Sequence, residues 1–259
     1  MIGAIIGDII GSVYEWKTTK SIDFELFTPY TTYTDDTVLT IAVADAILNQ
    51  ADYAEKIYYW GNEYPDAGYG IGFINWLHTE NPQPYNSWGN GSAMRVSPIG
   101  FAFNNERTVL KEAKKSAEIS HNHPEGIKGA QAVAIAVFLA RTGRSKPDIK
   151  NFIKSKFGYD LDRTLNEIRP LYTFDVSCQG SVPEAIIAFL ESENFEDAVR
   201  NAISLGGDSD TLACIAGAIA QAYYKKIPKP IMDQALEYLP EEFLEIIRIF
   251  EDTFRIRYL

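Results

Sequence analysis

The sequence predicts an all-α protein, and three observations lead there. Apolar residues recur at spacings of three and four through most of the chain. Ser, Thr, Asp or Asn stands just ahead of most of those runs, where a helix N-terminus needs a side-chain acceptor. Alternating, β-branched stretches between turn residues are nearly absent. About a dozen helices are expected. One domain over 1–259 is expected as well, since 259 residues, 46% of them hydrophobic, can build one large core and no low-complexity tract or linker divides them.

The first element runs from Gly3 to Tyr14. Ile5, Ile6, Ile9, Ile10 and Val13 carry its helical period, and Gly3, Gly7 and Gly11 form a stripe suited to close packing on another helix. Asp8 sits among these apolar residues and needs a partner if buried. Glu15 comes where the pattern ends. Residues 16 to 33, with Trp16, Lys17, Thr18, Thr19 and Pro29, read as a loop of a length that is often functional. Val38 to Asn49 is a well-patterned helix, and Asp52 caps the next, which runs towards Trp60. Gly68-Tyr69-Gly70-Ile71-Gly72-Phe73 is a glycine-rich turn opening a short helix through Trp76 and Leu77.

Gly89-Asn90-Gly91-Ser92-Ala93-Met94-Arg95 is a turn followed by a helix start with Ser92 as its cap. Such a start either presents backbone N–H groups to an anion or is a plain loop-to-helix junction. Helices over 106–120 and 126–141 are separated by Ser120-His121-Asn122-His123-Pro124, and the second is apolar all round, as a central helix is. His121 and His123 at its entrance either bind metal or substrate or are hydrogen-bonded loop residues, and against the metal the chain's acids favour a harder ion than imidazole selects. Pro147 to Arg169 reads as short helices, and Tyr172 to Gln179 as extended chain. Ser181 with Pro183 and Glu184 is expected to start the next helix, and Asn194 another that runs to Ser204. Leu212 to Ala220 is a buried helix and Pro240 to Phe254 an amphipathic one.

Two acidic stretches stand out against this scaffold: Thr34-Asp35-Asp36-Thr37 and Gly206-Gly207-Asp208-Ser209-Asp210-Thr211. Each precedes a helix, so each has a capping explanation. A cap, however, needs one acceptor, and each stretch offers two carboxylates and a threonine. Two like charges 4 Å apart cost on the order of 4 kcal/mol at an effective dielectric near 20, a cost that a cation removes. Carboxylate and hydroxyl oxygens suit a hard divalent ion.

Composition narrows the class further. The net charge of −11 argues against general binding to nucleic acid or an anionic membrane. Cys178 and Cys214 are too few for a disulfide framework and lack the spacing of a zinc site. The apolar start, Met1 to Val13, has no basic flank and is too short to span a bilayer, so a cytoplasmic protein is expected.

The stretches Gly3 to Asp8 through Glu15, Thr34 to Thr37, Gly68 to Gly70, Gly89 to Arg95 and Gly206 to Thr211, in that order, resemble the ADP-ribosylglycohydrolase family. The resemblance implies that family's compact, orthogonal helical bundle. It implies two Mg²⁺ or Mn²⁺ ions, with Thr34, Asp35, Asp36, Asp208, Asp210 and Thr211 at the positions of the ligands. Glu15, Asp35, Asp36 and Asp208 match catalytic positions, and Glu15 matches a flexible-loop glutamate near the scissile bond. Gly89, Asn90, Gly91, Ser92 and Met94 match a loop around the diphosphate, His121 falls where some members contact substrate, and Tyr69 is a candidate to stack on the adenine. Ser209 stands where many members carry threonine, a change that keeps both flanking acids.

The implied reaction is hydrolysis of the bond between ADP-ribose and an acceptor side chain, through an oxocarbenium-like state. The substrate would be an ADP-ribosylated protein or small molecule, with arginine mildly preferred as acceptor, the product ADP-ribose, and the enzyme a monomer. Three alternatives stay open: a non-catalytic relative that binds ADP-ribose or serves structurally, a metal-dependent phosphohydrolase, and a plain helical interaction module.

Overall fold

The computed structural model describes residues 1–257, and among them every regular element is a helix. In chain order these are α1 (Ile2–Trp16), α2 (Asp35–Asn49), α3 (Tyr53–Glu63), α4 (Ile71–Leu77), α5 (Gly91–Met94), α6 (Ser97–Ala102), α7 (Glu106–Glu118) and α8 (Pro124–Arg141). They continue with α9 (Lys146–Phe157), α10 (Leu165–Ile168), α11 (Cys178–Leu190), α12 (Phe195–Ile203), α13 (Ser209–Tyr224), α14 (Lys229–Leu236) and α15 (Glu241–Thr253). The all-α expectation holds, with more short segments than the dozen helices anticipated.

The glycine stripe decides how the core is assembled. α1 lies along α13 with almost no side chains between them. A Cβ at Gly3 would sit 2.5 Å from Gly217 O, one at Gly7 2.1 Å from Ala213 O, and one at Gly11 2.6 Å from Asp210 Cα. Only hydrogen fits at those positions. The same contact lays Asp8 of α1 beside the first turn of α13, which carries Asp210. α8, buried along most of its length, packs on α13, α11, α7, α6 and α5 and is the central helix its composition predicts.

Local chemistry explains the boundaries. Asp52, Asn105, Ser145 and Asn194 each accept a backbone N–H at the start of α3, α7, α9 and α12. α11 begins four residues earlier than expected, because Ser177 rather than Ser181 is its cap and accepts from Gly180 N at 3.1 Å. Pro183 therefore falls inside the helix, where it has no N–H to donate, and the Ser181 hydroxyl turns back to Ser177 O at 2.7 Å. The extended chain ends at Ser177, which forms an isolated bridge with Gly89.

The loop over residues 17–34 is tied down at several points. Tyr14 Oη donates to Glu25 O at 2.6 Å, Lys20 Nζ donates to Tyr172 O at 2.6 Å and also to Leu205 O, and Arg200 Nη1 donates to Ile22 O and Phe24 O. These bonds hold the loop against the turn that leads into Asp208. No helix among the described residues is long and apolar enough to cross a membrane.

Candidate active site

The first turns of α2 and α13 meet the middle of α1, and the acids gather at the meeting point. Thr34 caps α2, its Oγ1 accepting from Asp36 N at 3.4 Å. Asp8 reaches across from α1 and accepts from Thr34 N at 3.0 Å, from Thr34 Oγ1 at 2.7 Å, and from the N–H and hydroxyl of Thr37. Asp8 thus caps a helix 26 residues further along the chain, which answers its need for partners in the core. Asp208 occupies the N-cap position of α13 but makes no cap hydrogen bond. Its Oδ2 instead accepts from Asn90 Nδ2 at 2.6 Å. Capping therefore does not account for Asp208.

Carboxylate oxygens of Asp8, Asp36 and Asp210 lie within 4.8 Å of one another, all three buried. Asp36 Oδ2 accepts from Thr211 Oγ1 at 3.2 Å, whereas Asp36 Oδ1 is buried without a partner. No Lys, Arg or His pairs with any of these acids among the described residues. A buried orphan oxygen inside an uncompensated acidic cluster, with hydroxyls alongside, has the donor chemistry of a hard divalent cation site.

The electrostatics say the same. Burial, then the charge of Asp210, pushes Asp8 up to about 7. The same two causes raise Asp35, Asp36 and Asp208 well above the carboxylate range, and they push Glu15 up to about 7. Without a cation the cluster is thus held together partly by protons. Between the unfolded carboxylate value near 4 and a folded value near 7, the folded state binds more protons than the unfolded one, so stability falls as pH rises. In chelator the melting temperature is expected to climb as pH drops from about 7 to about 5, and Mg²⁺ should flatten that slope. A chelated protein that melts higher at neutral than at mildly acid pH would contradict the unpaired cluster.

The acids open onto a cleft of about 910 Å³. Glu15, at the end of α1, lines it with Thr34, Asp35, Asp36, Asp208, Asp210 and Thr211. Gly89, Asn90, Gly91, Met94 and His121 line it as well, with Asn90 in contact with Asp208. Two of the loop's N–H groups are already in use, Gly89 N on Ser87 Oγ at 3.1 Å and Asn90 N on Val176 O at 2.8 Å. Those of Gly91 and Ser92 have no acceptor among the described residues. The two glycines give His121 access, since a Cβ at Gly91 would lie 3.1 Å from its Nε2 and one at Gly89 3.5 Å.

Two expected substrate residues do not reach the cleft. Tyr69 turns inwards, 6% exposed, with its ring 5.3 Å from that of Phe73, so the adenine-stacking expectation is corrected. Ser92 is fully buried and donates to Gly126 O at 2.8 Å, while Asn90 takes the N-cap position, so the expected cap is corrected too. Trp16, Tyr30 and Phe174, all exposed, supply aromatic surface in the lining instead.

Residues that sequence reasoning left out of the site are Asp8, Arg95 and Ser120. Asp8 had a signal, a lone carboxylate in an apolar helix. Arg95 closes the matched loop motif, but its burial is visible only in the fold: it is 0% exposed, with Nε and Nη1 unpartnered.

A family model for ADP-ribosylglycohydrolases matches residues 1–257. The chain is 30% identical to ADP-ribosylhydrolase ARH3 of Mus musculus, across 98% of this chain and 87% of that one. It is 25% identical to ADP-ribosylarginine hydrolase Tri1 of Pseudomonas putida, across 86% and 69%. A solved ADP-ribosylglycohydrolase-related protein complex shares the fold, with a TM-score of 0.74 at 22% identity over 98% of this chain and 96% of that one. With the motifs, the helical core and the acidic cleft on one chain, this protein belongs to the ADP-ribosylglycohydrolase family, as a hydrolase of ADP-ribose glycosidic bonds.

Proposed function

We propose that this enzyme hydrolyses the glycosidic bond joining ADP-ribose to an acceptor side chain, arginine preferred, and that it does so with two divalent cations, Mg²⁺ or Mn²⁺. The observation that carries the reading is the cleft itself, whose lining combines carboxylates that no cationic side chain among the described residues pairs with and the unused Gly91 N–H donor. Thr34, Asp35, Asp36, Asp208, Asp210 and Thr211 would hold the cations, with Asp8 behind them fixing Thr34. When bound, the cations would polarise sugar oxygens and ease deprotonation of water near neutral pH.

The chain's own groups do the rest. The diphosphate meets the Gly91 N–H group and His121. Asn90 holds Asp208 in place through its amide. Glu15, whose value near 7 lets it gain or lose a proton at neutral pH, carries the proton of the attacking water. An acidic cleft edged by the exposed Trp16 suits a guanidinium acceptor, through charge and through the ring face. Substrates in this reading are ADP-ribosylated proteins or small molecules, and the protein works as a cytoplasmic monomer. Its unpaired, buried Cys178 and Cys214 suit a reducing compartment.

The deciding experiment measures free ADP-ribose released from arginine-linked and serine-linked substrates, with Mg²⁺ and after chelation. Release that needs the cation and favours the arginine linkage is the expected result. Tight ADP-ribose binding with no release from either substrate would sink the catalytic reading. Glu15→Gln is expected to slow turnover by about 10²- to 10⁴-fold, the usual worth of a positioned acid–base group. It should leave stabilisation by Mg²⁺ in place, and turnover at the normal rate would remove Glu15 as proton carrier.

A further inference from the structure

Arg95 is an arginine with no acid to pair with. It is 0% exposed, and no carboxylate pairs with it among the described residues. Its Nη2 donates to Ser116 O at 2.7 Å and to Ser120 Oγ at 3.1 Å, while Nε and Nη1 find no partner. Ser120 Oγ is also 2.7 Å from His121 Nδ1, and His121 lines the cleft beside Gly89 and Gly91. A buried cation, a hydroxyl and an imidazole thus form a line that ends at the site.

Counting protons along that line settles its direction. A guanidinium only donates, so Ser120 Oγ is an acceptor towards Arg95, and its single proton is left for His121 Nδ1. Nδ1 must then offer its lone pair, which places the ring proton on Nε2. The reverse arrangement would aim two donors at Ser120 Oγ and leave the proton of this fully buried serine with no acceptor among the described residues. Burial and the neighbouring Arg95 charge also hold His121 well below the usual histidine value, so the ring is neutral.

We propose that Arg95 and Ser120 are positioning residues that fix His121 as the tautomer protonated on Nε2, so that the cleft presents an N–H donor to the diphosphate of the substrate. The inference rests on the ADP-ribose reading above for its ligand and on hydrogen-bond geometry for the tautomer. Arg95 acts twice in this scheme, by orienting the serine proton and by adding uncompensated positive charge behind the donor.

The test is nitrogen-15 NMR of the histidine rings in the whole, ligand-free protein, with the His121 signals assigned by their loss in His121→Gln. The expected spectrum shows Nδ1 unprotonated and Nε2 protonated at neutral pH. Ser120→Ala should mix the tautomers and weaken ADP-ribose binding by about tenfold or more, the worth of one hydrogen bond to a charged group. Ser120→Thr, which keeps the hydroxyl, should restore both. A wild-type ring protonated on Nδ1 overturns the proposal whether or not the variants fold. So does a folded Ser120→Ala with unchanged tautomer and affinity. Wild-type protein that binds no ADP-ribose would instead overturn the functional reading, and the ligand-free spectrum would still decide the relay.

Discussion

Asp36→Asn is expected to abolish ADP-ribose release while making the chelated protein harder to melt. Asp36 is buried, one of its oxygens has no partner, and its nearest charged neighbours are acids. Removing one of several crowded carboxylates relieves repulsion worth at least about 1 kcal/mol at an effective dielectric near 20. For a chain of this size that raises the melting temperature by about 2 to 4 °C. The same change deletes a proposed cation ligand. Turnover should fall by at least about a hundredfold, the upper end of what losing even an outer-shell partner of a metal costs. Stabilisation by Mg²⁺ should disappear with it. A site selected for function at the expense of stability behaves in this way. Near-normal turnover in the variant would remove Asp36 from the centre, and a lower melting temperature in chelator would show that its charge is not repelled.

Gly7→Ala should do the opposite, destroying stability through a residue that lies outside the cleft lining. Its new methyl group would meet Ala213 O at 2.1 Å, and the colliding atom is helix backbone that cannot rotate away. Overpacking of a tight core costs about 1 to 3 kcal/mol and more where nothing can give. A loss of about 3 kcal/mol or more is expected, or about 6 to 12 °C in melting temperature. The folded remainder should also turn over slowly, because α1 carries Asp8 and α13 carries Asp210. Gly70→Ala is the control: a Cβ there meets nothing within 4 Å, so its stability should stay within about 0.5 kcal/mol of wild type. Equal melting of the two variants would mean that α1 and α13 are not in backbone contact.

How much of this was legible beforehand differs from residue to residue. The cap at Asp52 and the period of the central helix are local matters, and they were read correctly from a few neighbouring residues. The start of α11 was missed because Ser177 and Ser181 are both plausible caps, and the choice is made by pairing with Gly89 elsewhere in the chain. The direction of Tyr69 is not written locally, because a glycine-rich turn can point an aromatic ring either way, and here the core beside Phe73 holds it. Ser92 stands where a local pattern puts a cap, yet its hydroxyl donates to Gly126 O in a different helix.

By itself the sequence determined the helical class, the glycine stripe and the two acidic stretches. Each of these is written in residue type and in spacings of a few positions, the range over which a helix sets its own geometry. Tertiary structure alone decided that Asp8 would cap α2, that Asn90 would hold Asp208 across 118 residues, and that Arg95 would stand without a counter-ion behind Ser120 and His121. Those relations depend on which helices touch and at what rotation. That is settled by packing the whole core at once, and no local stretch of residues carries it.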